Sequence, residues 1–178
     1  VAVVDHYPED YTHQDRRVNV RFVDANRIAT WGGDHRVRLW RLDAPPTLLW
    51  TSADYTGHPR NDLRVTPDRR ELIAGGSRSY RLSVATGKRR PFAPLKDKHL
   101  RSMVFSSDGS LFAVGTHQHG VLLIAWPSGK ILHTFAEKRG VRQLAFSPSG
   151  EQLAAANGTA AVKRDASLEM SLTVWNLK

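Results

Sequence analysis

Short apolar runs separated by polar turns recur along this chain at nearly constant spacing. The apolar residue that ends the first run of each unit recurs at intervals of 43, 40 and 41 residues, at Phe22, Val65, Phe105 and Phe146. Runs of roughly four to eight residues, rich in β-branched and aromatic side chains and bounded by Gly, Pro, Asn or Asp, are typical of β-strands. The pattern therefore predicts four repeated units built from strands.

Two further markers follow the same period. An alanine preceded by an apolar residue marks the second strand of each unit, at Ala29, Ala74, Ala113 and Ala154. The third strand of each unit is marked by Trp40, Leu82, Ile124 and Trp175. The last step between these third-strand markers is 51 residues rather than 42, because the fourth unit carries an insertion at residues 157–170.

The turn after each first run contains Asp, Asn, Ser, Pro or Gly, the residues that reverse a chain tightly between strands. These turns are predicted at residues 23–26, 66–69, 106–109 and 147–150. A hairpin and two further short strands in roughly 40 to 45 residues are typical of a β-propeller blade and not of a helical solenoid. The predicted fold class is all-β, a β-propeller with four blades of four-stranded antiparallel sheet.

These residues resemble the WD-repeat β-propeller family over nearly the whole chain. Gly57-His58 stands where that family has its Gly-His pair, and residues 106–109 and 147–150 resemble its Ser-Pro-Asp-Gly hairpin. Residues 37–40 and 172–175 resemble its tryptophan strands. The resemblance implies a rigid, non-catalytic scaffold for protein–protein interaction.

The repeats are divergent, because the Trp-Asp dipeptide that defines the family is replaced by Trp40-Arg41 and Trp175-Asn176. Leu82 stands at the tryptophan position of the second unit. We therefore expect the second blade to be held by apolar contact alone.

The markers divide the chain into an N-terminal strand with its loop and four blades, at residues 1–17, 18–56, 57–98, 99–138 and 139–178. Val1–Asp5 has no hairpin partner before it, whereas the fourth unit ends after its third strand. Rings of the family close by adding the N-terminal strand to the last blade, which removes an open strand edge. Because propellers have roughly four to eight blades, three solutions follow. In order of preference they are part of a larger ring, half of a ring made by two chains, and a closed four-bladed ring.

Composition excludes several kinds of chemistry. The 178 residues contain no cysteine, so disulfides, cysteine-ligated metals and thiol catalysis are excluded. Paired carboxylates, a Gly-rich phosphate cradle and a nucleophile elbow are also missing, so we expect neither catalysis nor a cofactor. No run of about 18 apolar residues and no signal peptide is visible. We therefore expect a cytoplasmic protein without a membrane partner.

The net charge of +9 is high and favours an acidic partner. The basic residues are spread over different units, without the interleaved aromatic residues that stack nucleic-acid bases. We expect an acidic protein, with nucleic acid as one alternative and a regulatory or substrate-recognition propeller of a larger enzyme as another.

The resemblance also implies a buried tetrad of a histidine, a hydroxyl residue, an aspartate and the tryptophan in the first blade. Asp34 lies six residues before Trp40, and Thr30 lies four residues earlier still, which matches the family's spacing. His13 in the preceding loop completes the predicted tetrad. His, Thr and Asp can also form a catalytic triad, but a nucleophile has to be exposed beside its base, so we expect a structural role.

The side chains expected to bind a partner lie in loops predicted to share one face of the propeller. They are Arg16, Arg17, His35, Arg36, Arg60, Arg78, His117, His119, Lys138, Arg139, Lys163 and Arg164. His117 and His119 could contribute to a metal site, but zinc needs three or four ligands. We instead expect a turn in which Gly120 supplies a positive φ, and no metal.

Overall fold

The computed structural model describes residues 6–7, 18–53, 62–76, 79–96, 98–117, 120–136, 140–158 and 170–178. These residues form strands almost throughout, with a single short 3-10 helix, Ala93–Leu95, among them. In this part of the chain no helix is long and apolar enough to cross a bilayer. The prediction of an all-β protein is therefore confirmed.

The strands form antiparallel sheets in which sequence neighbours pair, and we call these sheets blades 1 to 4. Blade 1 contains β1 (Val18–Phe22), β2 (Arg27–Gly32), β3 (Val37–Arg41) and β4 (Thr47–Thr51). Blade 2 contains β5 (Leu63–Val65), β6 (Glu71–Ala74), β7 (Tyr80–Ser83) and β8 (Arg89–Pro91). Both belong to one compact unit, Val1–Phe92.

The second compact unit, Ala93–Lys178, holds the other two blades. Blade 3 contains β9 (Leu100–Phe105), β10 (Leu111–Thr116), β11 (Val121–Ala125) and β12 (Ile131–Phe135). Blade 4 contains β13 (Val141–Phe146), β14 (Gln152–Gly158) and β15 (Met170–Asn176), so its sheet has three strands within the described ranges. Residues Val1–Asp5, predicted as a further strand, lie outside the described residues.

Side chains alternate between the two faces of each blade, and strand pairing shows which of them share a face. Residues paired directly across an antiparallel sheet lie on the same side. The back face of blade 1 is defined by Val20, Phe22, Ile28 and Trp40. Its front face is defined by Ala29, Trp31, Val37 and Leu39.

Strand pairing also relates equivalent positions in the four blades. Trp40, Leu82, Ile124 and Trp175 each pair with the equivalent residue of the second strand. The alanine marker is wrong in blade 2, where the equivalent of Ala29 is Ile73 and not Ala74. Ile73 pairs with the residue before Leu82, just as Ala29 pairs with the residue before Trp40. Both faces of the second strand are covered here, so an alanine fits on either and residue type alone does not fix the register.

The hairpin turns at the start of blades 2, 3 and 4 share one hydrogen-bond pattern. In blade 3 the Ser106 hydroxyl accepts from the Leu111 N–H at 2.9 Å and donates to the Asp108 carboxylate. Bonds from Ser106 and Ser110 lower the pKa of Asp108 to about 2. Thr66 and Ser147 take the place of Ser106 in the other two blades, with backbone N–H bonds of 3.1 Å. The hairpins predicted at the start of blades 2, 3 and 4 are therefore confirmed, each stabilised by the hydroxyl of its first residue.

In the first unit the front face of blade 1 packs against the back face of blade 2. Its four defining residues form one buried cluster with Leu63, Leu72 and Leu82 of blade 2. Trp50 of β4 extends this contact, because its indole N–H donates to the Val84 carbonyl at 2.9 Å. The indole ring also covers Gly87, where an added Cβ would lie 2.8 Å from the ring.

The second unit repeats the arrangement, with the front face of blade 3 against the back face of blade 4. Ala113, Val121 and Leu123 of blade 3 form one buried cluster with residues of blade 4 that include Leu144 and Leu153. The backbone of β10 approaches β13 so closely that a Cβ added at Gly115 would lie 2.5 Å from Cγ1 of Val141. Adjacent sheets in each unit are therefore in close contact at these two glycines.

Replacing Gly115 with Ala should destabilise the chain. Val141 is fully buried, so the added methyl group can be accommodated only if β13 shifts away from β10. Overpacking of this kind costs about 1–3 kcal/mol, which thermal unfolding followed by circular dichroism would detect as a lower melting temperature.

Gly140→Ala is the matched control, because its added Cβ would meet no atom closer than 3.8 Å. We expect this variant to change the free energy of unfolding by no more than about 0.5 kcal/mol. Equal losses in the two variants would contradict the close packing of β10 on β13.

Candidate functional site

A buried polar network joins β2 and β3 of blade 1 to the chain ahead of β1. Trp40 donates its indole N–H to Oγ1 of Thr30 at 2.9 Å, and the same oxygen lies 2.8 Å from Nδ1 of His6. The other ring nitrogen of His6, Nε2, lies 3.2 Å from Oδ1 of Asp34. Thr30 and Trp40 meet on the back face because β2 and β3 pair there, while Asp34 lies in the turn between these strands.

An indole N–H can only donate, so Oγ1 of Thr30 accepts from Trp40. Nε2 of His6 lies 3.2 Å from Oδ1 of Asp34 and 3.1 Å from Nη1 of Arg38. It donates to the carboxylate in one tautomer of the imidazole and accepts from the guanidinium in the other. A buried network in which every member has its partner holds the surrounding backbone in one geometry.

Arg38 supplies the positive charge that balances Asp34. Its Nη1 lies 2.6 Å from Oδ2 of Asp34, and the two side chains are only 9% and 8% exposed. Burial by itself raises the pKa of Asp34, but hydrogen bonds from His6 and Arg38 outweigh it, so the pKa lies below the usual 3.8. Asp34 is therefore ionised at neutral pH and held between two donors.

The histidine in this network is His6, in the position where the sequence predicted His13. His13 lies outside the described residues. Distance along the chain favoured the histidine nearer to β1, but the fold brings an earlier segment onto the blade. Tyr7 anchors that segment, because its ring meets the His6 ring edge to face at 4.8 Å and its hydroxyl accepts from the Gly33 N–H at 2.9 Å. A His-Tyr pair ahead of the blade is the signal that could have identified His6.

The network fixes the turn at residues 33–36, which joins β2 to β3. The Arg36 N–H donates to Oδ1 of Asp34 at 3.2 Å. His35 has a φ of +57°, in the left-handed region that suits few residues other than Gly, Asn, Asp and His. The side chains of His35 and Arg36 are exposed. The buried network therefore presents two basic side chains from a turn of fixed geometry.

The arrangement does not provide a nucleophile. Thr30 is only 4% exposed, and its hydroxyl oxygen is already hydrogen-bonded to Trp40 and His6. A catalytic hydroxyl has to reach a substrate carbonyl beside its base. Thr30 instead connects the indole of Trp40 to the imidazole of His6, so the threonine has a structural role.

The structure describes three of the twelve side chains predicted to bind a partner: His35, Arg36 and His117. His117 follows β10 in the turn of blade 3 that corresponds to residues 33–36 of blade 1, and it is exposed. The other nine lie outside the described residues: Arg16, Arg17, Arg60, Arg78, His119, Lys138, Arg139, Lys163 and Arg164.

Gly120 follows His117 in the blade 3 turn and has the backbone conformation predicted for it. Gly120 has a φ of +70°, which confirms the prediction for that glycine. The N–H and the hydroxyl of Thr116 both donate to the Gly120 carbonyl, at 2.9 and 3.0 Å. No group of three or more potential metal ligands occurs among the residues that the structure describes.

A cluster of arginines on blade 2 was not singled out from the sequence. Glu71 accepts from Nε of Arg81 at 2.7 Å and from Nη2 of Arg90 at 2.6 Å. The Arg81 guanidinium lies 5.5 Å from the centre of the Phe92 ring, a cation–π contact. Arg81 and Arg90 pair across β7 and β8, which sequence spacing does not show. Charged side chains on an outer strand such as β8 also discourage unwanted strand pairing.

Replacing Asp34 with Asn should lower the stability of the chain at pH 7 by about 1–3 kcal/mol, because buried Arg38 loses its counter-charge. The pKa of Asp34 is lowered in the folded state, so its contribution is fully present above about pH 4 and is lost as the carboxyl is protonated at lower pH. Urea unfolding at several pH values should therefore show a gap between the wild-type chain and the variant that closes below about pH 4.

Asp43→Asn is the matched control, because Asp43 is paired with Arg41 at an exposed position of the same blade. An exposed pair contributes little, typically about 0–1 kcal/mol. A gap for Asp34→Asn no larger than that of the control, or one that stays constant with pH, would contradict the network.

Comparison with known proteins also indicates a protein built from WD repeats. The family model for the WD domain, G-beta repeat, matches residues 129–176. The WD repeat-containing protein SL1-17 of Schistosoma mansoni is 26% identical over 161 residues, which cover 86% of this chain and 52% of that protein. The chain therefore spans about half the length of the curated relative it matches.

The crystal structure of the computationally designed Ika4 protein is also similar, with a TM-score of 0.66 at 13% identity over 94% of each chain. At this identity the likeness concerns the fold alone. The repeated antiparallel sheets, the repeat match and the curated relative together support a WD-repeat β-propeller fold for this chain.

Proposed function

We propose that this chain is a non-catalytic scaffold that binds an acidic protein through basic side chains in its turns. WD repeats generally mediate protein–protein interaction. The observation that carries the proposal is the turn at residues 33–36, where a buried network ending in Asp34 fixes the backbone that presents His35 and Arg36.

A fixed turn favours binding because little freedom remains to be lost. Ordering a mobile side chain or loop at an interface costs about 0.5–1.5 kcal/mol for each rotamer-rich side chain. Here the backbone hydrogen bonds of Gly33 and Arg36 are already made before a partner arrives. Binding then has to order only the exposed ends of the side chains.

The net charge of the chain supports an acidic partner. The chain has 26 Lys and Arg against 17 Asp and Glu, so its net charge of +9 attracts acidic surfaces over a distance of about 8–10 Å at moderate salt. Several of the arginines on blade 2 are already engaged with Glu71 or with aromatic rings. The turn at residues 33–36 is the candidate for contact with a partner because His35 and Arg36 are exposed there.

Nucleic acid is the second candidate, supported by the same net charge. Single-stranded nucleic acid is usually held by exposed aromatic rings on which the bases stack. In blade 2, Arg89 lies over the Tyr80 ring at 5.0 Å and Arg81 lies over the Phe92 ring at 5.5 Å. Arginine side chains cover these two aromatic rings, so the rings are not open for stacking with bases. This favours a protein partner over nucleic acid.

The proposal predicts that Arg36→Glu weakens binding of a fluorescently labelled hexaglutamate peptide by about three- to tenfold. The expected cause is replacement of attraction by repulsion at the turn, so the loss should shrink as salt is raised. Fluorescence anisotropy at low and moderate salt would measure both effects.

Lys88→Glu is the matched control, since Lys88 is exposed in the same unit but lies in the turn between β7 and β8, at the opposite strand ends. It changes the net charge by the same amount. Equal weakening by both variants would show attraction by net charge alone and contradict a site at the turn. Tighter binding of an oligonucleotide of equal charge, with a steep loss as salt rises, would favour nucleic acid.

A further inference from the structure

A cleft opens between the first hairpin turns of blades 1 and 2. One wall is formed by residues 22–25, at the end of β1 and in the turn that follows it. The other wall is formed by residues 65–67 and Arg69, at the end of β5 and in its turn. Both walls belong to one compact unit. The volume of the cleft is about 480 Å³, and ligand sites typically have roughly 300–1,000 Å³.

The cleft lies beside the shortest of the four first hairpin turns. Phe22 pairs with Ile28 across the blade 1 turn, six positions along the chain, whereas Val65 pairs with Leu72, seven positions along. Blades 3 and 4 have the same spacing as blade 2. The blade 1 turn is therefore one residue shorter than its equivalents.

In the second unit the equivalent turns touch each other. The Ser107 hydroxyl of blade 3 donates to the Pro148 carbonyl of blade 4 at 2.9 Å. Asp24 stands at the equivalent position of the blade 1 turn, and the hydrogen bond from Arg27 lowers its pKa below the usual 3.8. The ionised carboxylate can only accept hydrogen bonds. It cannot donate to the carbonyl of Pro67, the equivalent of Pro148, so the bridge of the second unit is not repeated.

The cation of the cleft occupies a backbone position that favours glycine. Arg69 has a φ of +58°, and its N–H donates to the Thr66 carbonyl at 2.8 Å. Gly109 and Gly150 make the same turn in blades 3 and 4, with φ values of +72° and +74°. The left-handed conformation disfavours an arginine but not a glycine. Residues held in such conformations cluster at ligand-binding sites, where their side chains are needed.

The charges around the cleft leave a place for an anion. Asp24, the carboxylate in the blade 1 wall, is already paired with Arg27 at 2.6 Å. Asp68 does not line the cleft and accepts from the Arg70 N–H at 3.1 Å. Arg69 is exposed, and no carboxylate among the described residues forms an ion pair with it. A negative group entering the cleft therefore meets a cation that is free to pair.

We propose that this cleft binds a peptide segment in which an apolar side chain stands next to a carboxylate. The apolar side chain packs among Phe22, Val65 and Pro67, which line both walls. The carboxylate of the segment pairs with Arg69. The cleft is open, since Pro67 and Arg69 are exposed, and an open cleft suits a side chain that projects from a peptide better than a small molecule that has to be largely enclosed.

This site is separate from the turn at residues 33–36. The blade 1 wall of the cleft precedes β2, whereas residues 33–36 follow β2, so the two lie at opposite ends of that strand. The recognised chemistry also differs, because the cleft requires an apolar side chain as well as a negative charge. Binding here does not depend on the proposal for residues 33–36.

Titration of the isotope-labelled chain with the peptide acetyl-Ser-Glu-Phe-Glu-Ser-amide tests the site. In proton–nitrogen correlation spectra we expect the shifted amides to be concentrated at residues 22–25 and 65–69. A peptide with serine in place of phenylalanine should bind about tenfold more weakly, and one with glutamine in place of both glutamates about three- to tenfold more weakly. Shifts that are absent, spread evenly, or concentrated at residues 33–36 would overturn the proposal.

Arg69→Gly separates binding from folding. The variant should weaken the peptide about three- to tenfold, while its melting temperature should be no lower than that of the wild type, because glycine adopts this backbone conformation in blades 3 and 4. Arg70→Gln is the matched control, since Arg70 is exposed beside Arg69 but does not line the cleft. Equal weakening by the two variants would contradict a site at Arg69.

Phe22→Ser tests the apolar wall. It should weaken the wild-type peptide by about tenfold and have little effect on the peptide that carries serine in place of phenylalanine. Val20→Ser is the control, because Val20 is exposed on the same strand but does not line the cleft. Equal losses for Phe22→Ser and Val20→Ser would contradict the proposed contact.

Two further measurements identify other occupants. Free acetylphenylalanine that shifts the same amides as strongly as the peptide would show a site for a small molecule. Shifts of these amides on dilution of the chain alone would show that a second copy fills the cleft. Either result would overturn the assignment of a peptide, whereas we expect weak binding of acetylphenylalanine and no change on dilution.

Discussion

Face-to-face packing of apolar sheets is the constraint on which this structure depends. A blade of about four short strands has apolar side chains on both faces, so it is stable only where neighbours cover them. Front-to-back packing meets this need for blades 1 and 2 and for blades 3 and 4. The contact is tight enough that Gly115 and Gly87 leave no room for a methyl group. Sheets packed in this way form a rigid base for the turns.

The polar network of blade 1 extends that rigidity to the surface. Its indole, hydroxyl, imidazole and carboxylate connect the back face of the blade to the turn at residues 33–36. Each of these four groups lies within hydrogen-bond distance of the next, which offsets the cost of burying it. The same bonds hold the backbone that carries His35 and Arg36. Stability and presentation of the basic side chains therefore have a common physical origin.

The sequence predicted the repeat period, the hairpins and the third-strand positions, because these depend on local patterns of apolar and turn residues. It failed where a contact spans a long stretch of chain. His6 reaches Thr30 and Asp34 from ahead of β1, whereas distance along the chain favoured His13, which is nearer to β1. Ala74 was misplaced because a small side chain fits either face of a covered strand. The pairing of Arg81 with Arg90 required knowledge of which strands are neighbours.

The central claim is that the buried network holds the turn at residues 33–36 rigid. Amide hydrogen exchange in the wild-type chain and in Thr30→Val measures this directly, since the variant keeps the shape of the side chain and removes its hydroxyl. The account predicts slow exchange at Gly33 and Arg36 in the wild type and exchange about tenfold faster or more in the variant, with the β3 amide of Leu39 unchanged. Equal exchange rates at Gly33 and Arg36 in the two proteins would contradict it.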